Sequence, residues 1–327
     1  MKKLQTINVK GSSSAGVAKK TRVLTCNFGE FMEMMDDCKG GDNSNAKHDK
    51  DFHGSDSMAK NLKSAKQLLW KGYQPEEMKS AMSGFDSEFT ANNPKSVMVE
   101  EGGYAFDVPS IMSNAERVWF DNDSKGQAPS IHIIYQANAN GSCSAYNFYV
   151  QAAVIRKISE LLGEDALIKC SAIYASAHSA KKGSESYNTS VCLSVKDYDE
   201  QFDERRVGAT AHPSFFRRLI FATRDAAGDF FGEGFRQHPF FGASRSPQTL
   251  GLDEQFLSTE MEADLTIRIP MPSARHFDNV SNAVEYCKKI IGDAKKGITN
   301  LKSNDFEDDG VWSKMTKKEA AQAIGSF

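Results

Sequence analysis

The sequence predicts an α/β fold built on a mostly parallel, doubly wound sheet. Apolar strand runs occur at 131–137, 166–175 and 191–195, and Leu265, Ile267 and Ile269 alternate in a further run. Helical periodicity follows at 146–162, 213–227 and 280–291. Strands alternating with crossover helices pair in parallel and are covered on both faces.

Composition sets the outer limits. The chain has 327 residues, 40% hydrophobic and 25% charged, enough to bury a substantial core. Its 40 Lys+Arg against 43 Asp+Glu give a net charge of -3, so no global field draws in nucleic acid or anionic lipid. The six cysteines show no C-x-x-C pair and no short Cys/His spacing, which reads as reduced, buried thiols rather than a zinc centre. No apolar stretch follows Met1-Lys2-Lys3 and no run of 18 apolar residues exists, so the expectation is a cytosolic chain with no membrane partner.

Taken in order, 1–57 reads as an N-terminal arm and loop, with an apolar-periodic piece at 28–35. Residues 58–128 read as a helical hairpin and β extension, giving the core a small N-terminal α+β extension. Leu62, Ala65, Leu68 and Leu69 mark a helix stopped at Gly72, and Pro75-Glu76-Glu77 opens a second with acid in its first turn. Residues 97–119 carry short β-prone runs and turns. The α/β core spans 129–294, and 295–327 is a C-terminal tail. Within the core, the helix at 146–162 puts Val150, Val154, Ile158 and Leu161 on one face and Arg156, Lys157 and Glu160 opposite. Pro213 starts a helix whose inward face is Phe216, Leu219 and Ile220.

Between the first core strand and its helix lies Asn138-Ala139-Asn140-Gly141-Ser142-Cys143-Ser144. The spacing Asn140-x-Ser142-x-Ser144 resembles the D-x-S-x-S metal loop of von Willebrand factor A domains, with Asn where that loop carries Asp. The resemblance implies a von Willebrand A-like core with Asn140, Ser142 and Ser144 as metal ligands. Asn keeps an oxygen but removes the charge, so at most a weak Mg²⁺ site results and no cofactor is expected. The alternative is a capped helix start, with Ser142 or Ser144 accepting from first-turn amides. A phosphate on the loop amides is the third reading, but neither G-x-G-x-x-G nor G-x-x-x-x-G-K-[ST] is present.

A second constellation is Ala211-His212-Pro213-Ser214-Phe215-Phe216-Arg217-Arg218. His212 is a base in one reading and a turn-ordering residue in the other, and no G-x-S-x-G stands ready to partner it. Arg217 and Arg218, off the apolar face, suit phosphate or carboxylate, or else pair with the acidic segment 197–204. Residues 228–247 interleave Phe230, Phe231, Phe235, Phe240 and Phe241 with Arg236, Arg245 and glycines. Such rings anchor a partner protein, stack unpaired bases, or fold back as a satellite core.

Several of these motifs occur in one order: Leu68-Leu69-Trp70-Lys71-Gly72-Tyr73; Phe106-Asp107-Val108-Pro109; the strand and Asn/Ser loop before Ala152-Ala153; Val191 to Asp197; and Ala211 to Phe221. In this order they resemble a family of uncharacterised bacteriophage proteins, a domain of unknown function, over 58–225. The resemblance implies a phage product acting in the host bacterial cytoplasm and carries no catalytic residues with it. The expected function is therefore non-enzymatic, through protein–protein interaction or self-assembly. The alternative is a single-stranded nucleic-acid-binding factor of phage replication or transcription, using Arg217, Arg218, Arg236 and Arg245 with Phe235 and Phe240.

Overall fold

Among the described residues seven strands form one sheet: β1 (Lys3–Asn8), β2 (Lys20–Asn27), β3 (Ser130–Gln136), β4 (Leu167–Ala177), β5 (Asn188–Lys196), β6 (Ala243–Ser244) and β7 (Leu265–Ile269). The computed structural model describes residues 3–8, 20–36, 62–72, 74–91, 128–139, 141, 143–177, 188–220, 222, 243–244 and 263–304. The order is β1-β2-β5-β4-β3-β7, with β6 on the end of β4. Across the five strands from β2 to β7, the pairs β2–β5, β4–β3 and β3–β7 are parallel and β5–β4 is antiparallel.

The sheet is therefore mixed, and the reason is local. Only residues 178–187 separate the end of eleven-residue β4 from the start of β5. That connection is shorter than the roughly dozen residues a parallel crossover needs, so the two strands pair antiparallel. β2, to which the sequence reading assigned no strand, pairs in parallel with β5 through Thr21–Asn27, and β1 adds an antiparallel edge. The N-terminal segment thus belongs to the same sheet as the core strands.

Among the described residues six helices accompany the sheet: α1 (Phe28–Asp36), α2 (Leu62–Trp70), α3 (Glu76–Ala91), α4 (Ala145–Gly163), α5 (Glu204–Thr210) and α6 (Val280–Asn304). A π-helical turn covers Phe215–Ile220 and a 3₁₀ turn Arg275–Phe277. Their ends follow from their sequences. Asn27 Oδ1 accepts from Glu30 N at 2.8 Å while Glu30 Oε2 accepts from Asn27 N at 3.1 Å, a reciprocal cap that starts α1. α2 ends at Gly72, whose φ of 71° is the left-handed conformation that lets its N–H reach Leu69 O at 3.0 Å. α3 opens on Pro75, whose carbonyl accepts from Met78 and Lys79 N–H. Asn279 Oδ1 accepts from Asn282 N at 2.9 Å where α6 begins.

All the described helices share one core. Alternate strand positions line it: Leu24 and Cys26; Ile131, Ile133, Tyr135 and Ala137; Ile168, Cys170, Ala172 and Tyr174; Val191, Leu193 and Val195; Leu265, Ile267 and Ile269. Helix residues from Phe31 to Ile298 complete the same cluster. The period of two along a strand makes these one face of the sheet. Helices on both faces, as strand–helix alternation predicts, are therefore not seen among the described residues. The opposite face carries Val23, His132, Ile134, Ser171, Ile173, Ser190 and Cys192, also buried but far more polar.

Candidate functional site

The carboxyl ends of β3 and β7 and the amino end of α4 meet at one rim of the sheet, where two of the sequence-predicted constellations come together. β3 is prolonged past its last residue by Asn138, which is fully buried. Its amide donates to Ala175 O at 3.0 Å and accepts from Ala175 N at 3.1 Å, so a side chain supplies what a strand backbone would. β6 then takes over the same side of β4, pairing at Ser176 and Ala177. Gln151, also fully buried, bridges the two strand ends from α4. Its Nε2 donates to Gln136 O at 2.8 Å and to Pro270 O at 2.6 Å.

Ser144 starts α4. Its φ and ψ of -71° and 155° are extended, and its hydroxyl accepts from Asn147 N at 3.4 Å. It also bonds the Asn147 side chain, whose Nδ2 donates to Asp278 Oδ1 at 3.3 Å before α6. Of the three residues read as metal ligands, Ser144 is thus engaged as a helix cap, while Asn140 and Ser142 lie outside the described residues. Among the described residues no group of three His, Cys, Asp or Glu is placed to hold a metal ion.

Arg217 reaches this loop from behind. It is 1% exposed, donates from Nη2 to Cys143 O at 2.7 Å and lies 5.2 Å over the Phe148 ring. Burial pushes the guanidinium down to about 10, so it remains charged near neutrality. Burial likewise pushes the Cys143 thiol up to about 11, against the pull of Arg217, which makes it a poor nucleophile. Arg218 is 4% exposed. In an α-helix each residue advances about 100°, which puts Arg217 off the Phe216, Leu219 and Ile220 face. The wider π turn advances less, and all six residues from Phe215 to Ile220 are buried. The carboxylates of the acidic segment 197–204 bond Lys169, Arg206 and Arg205.

A polar clamp fixes the turn that carries Arg217. The Thr210 hydroxyl donates to Val207 O at 3.1 Å, leaving a lone pair to accept from the Tyr135 hydroxyl. Tyr174 donates to Thr210 O at 2.7 Å, and burial raises both tyrosines well above their ordinary range. His212, fully buried, accepts at Nδ1 from Ser214 N at 3.1 Å and packs 5.8 Å from Tyr149. It orders the turn before Phe215. That burial and that bond suit the structural reading better than a base open to substrate.

The opposite face holds a pair that the sequence reading did not single out. His132 Nε2 and Ser171 Oγ lie 2.8 Å apart on neighbouring strands, 0% and 2% exposed. Burial depresses His132 to about 3, Lys169 lowers it further and Asp197 opposes. A neutral, enclosed imidazole beside an enclosed serine makes a structural hydrogen bond rather than an accessible nucleophile. Asn138, Gln151 and Thr210 were also missed. The signal for Gln151 was present, an amide within the apolar run 148–155.

Phe230, Phe231, Phe235, Arg236, Phe240, Phe241 and Arg245 lie outside the described residues, as does 97–119. No helix among the described residues is long and apolar enough to cross a membrane. No curated protein and no solved structure matches the chain. A family model does match, over residues 6–293, a span that includes β2, the hairpin helices and the Arg217 rim. The chain belongs to the family described as Domain of unknown function (DUF7192).

Proposed function

We propose that this chain works by binding rather than by making or breaking bonds: a non-enzymatic phage protein, acting in the host bacterial cytoplasm through protein–protein interaction or self-assembly. The observation that carries the reading is that Asn138, Ser144 and Arg217, polar residues described at the rim, are already used inside the fold. Asn138 closes β3 onto β4, Ser144 caps α4, and Arg217 bonds Cys143 O. Such a rim is a rigid scaffold, and rigid scaffolds suit recognition because little ordering is left to pay for on binding. A von Willebrand A-like core, with a weak Mg²⁺ on Asn140, Ser142 and Ser144, belongs to the same proposal. The Phe230 to Arg245 segment is its docking element, since aromatic and arginine side chains dominate interface energetics.

Light scattering on size-exclusion fractions tests assembly. The expected result is a mass above the 36.1 kDa of one chain that rises with concentration. A constant single-chain mass, together with binding to nucleic acid, overturns the preference. The second reading, a single-stranded nucleic-acid-binding factor of phage replication or transcription, is favoured by one observation: Trp70 is 56% exposed beside lysines.

A further inference from the structure

We propose that the solvent face of α2 is a stacking and phosphate-contact surface for single-stranded nucleic acid, a proposal that rests on the second reading above and relocates it. α2 turns Ala65 and Leu69 into the core and leaves Lys63, Gln67, Trp70 and the following Lys71 exposed. At 3.6 residues per turn these positions form one stripe about 12 Å long. Arg217 and Arg218, the arginines expected to serve this role, are instead buried.

Trp70 is held ready rather than loose. One ring face stacks on Phe28, with centroids 5.8 Å apart and planes 8° from parallel. Phe28 stacks on Phe215 at 6.1 Å, and Phe215 on Tyr174 at 5.8 Å, so the indole ends a column of rings rising from the core. Beyond that stack the residue remains 56% exposed. A ring fixed in orientation loses little entropy when a base lies against it, and every base offers a π face.

The charges on α2 itself are all basic. α2 contains no acidic residue, and Lys63 and Lys71 enter no ion pair among the described residues. Two neighbouring carboxylates are already engaged: Asp36 by Lys66, and Asp203 by Arg205, whose stem packs on Gly72. A polyanion is the complementary partner. Lysines are depleted from the cores of protein interfaces, which weighs against a protein seated on this stripe.

The test titrates the full chain with labelled oligo(dT) and oligo(U) of about 20 nucleotides between about 50 and 200 mM salt, following anisotropy and tryptophan emission. Trp70→Ala is expected to weaken binding about 5- to 100-fold. Trp70→Phe keeps affinity within a few-fold but loses the quenching, which separates Trp70 from Trp119 and Trp312. The Lys63→Ala/Lys71→Ala double variant flattens the slope of log K against log salt by about 1.4. Absence of binding to either oligomer overturns the proposal, as does binding that neither Trp70→Ala nor the double lysine variant alters. A Trp70→Ala chain that changes mass by light scattering while the parent binds no nucleic acid assigns the stripe to assembly and also overturns it. Absence of binding fails the second reading as well, whereas binding that both variants leave unaltered fails only the stripe, so the two outcomes are distinguishable.

Discussion

Acidification should destabilise this fold through His132 before its carboxylates titrate. The imidazole is fully buried between β4 and β7, with Lys169 and Asp197 as the charged groups that act on it, and it is held near 3 against an ordinary value of 6.5. The folded-state value is lowered, so on acidification the unfolded chain takes the proton first. Stability that is full above 6.5 is lost as the pH falls toward 3. The loss approaches about 1.4 kcal/mol per pH unit and amounts to about 2 kcal/mol between pH 7.5 and pH 5. Urea unfolding of the parent and of His132→Gln, a neutral residue able to bond Ser171, isolates the effect as a difference curve. The parent's advantage over the variant should shrink by about 2 kcal/mol across that window. A difference constant to within about 0.5 kcal/mol would show that His132 is protonated alike in both states and would refute the reasoning.

Arg217→Met keeps the apolar stem but removes the donor to Cys143 O and the cation over Phe148. We expect a cost of about 2 kcal/mol in urea, together with faster labelling of Cys143 by a thiol reagent, read by peptide mapping. Unchanged labelling would mean that the guanidinium does not restrain the loop. Gly72→Ala places a Cβ 2.6 Å from Arg205 Cβ at a φ of 71°, so a loss of about 2 kcal/mol is expected by thermal unfolding. The loss should persist in an Arg205→Ala background, because the clashing Cβ remains.

Much of the secondary structure was legible because it is local. Period two at Leu265, Ile267 and Ile269, and period 3.6 through Val150, Val154 and Ile158, are direct records of which side of the chain meets the core. Gly72 and Pro75 punctuate where their backbones permit no alternative. α5 was harder to see. Glu204-Arg205-Arg206 precedes its buried Val207-Gly208-Ala209, so the segment reads as acidic loop until Asp203 is seen capping it at 2.9 Å. β2 was equally obscure, since Lys20-Thr21-Arg22 disguises a strand whose inward residues are only Leu24 and Cys26.

The sequence by itself determined the broad α/β class, the strand–loop–helix at the rim and the absence of any charged loop ligand at Asn140, because these depend on residue type and spacing alone. Tertiary structure decided what the side chains are for. Strand order, the antiparallel β4–β5 pair and the π turn are set by packing between distant segments, and that packing drew Arg217 inward to Cys143. A guanidinium in sequence is a ligand for whatever lies nearest. Here one acceptor is a loop carbonyl 74 positions away, while Trp70, read in the sequence only as part of a motif, was left at the surface by the same packing.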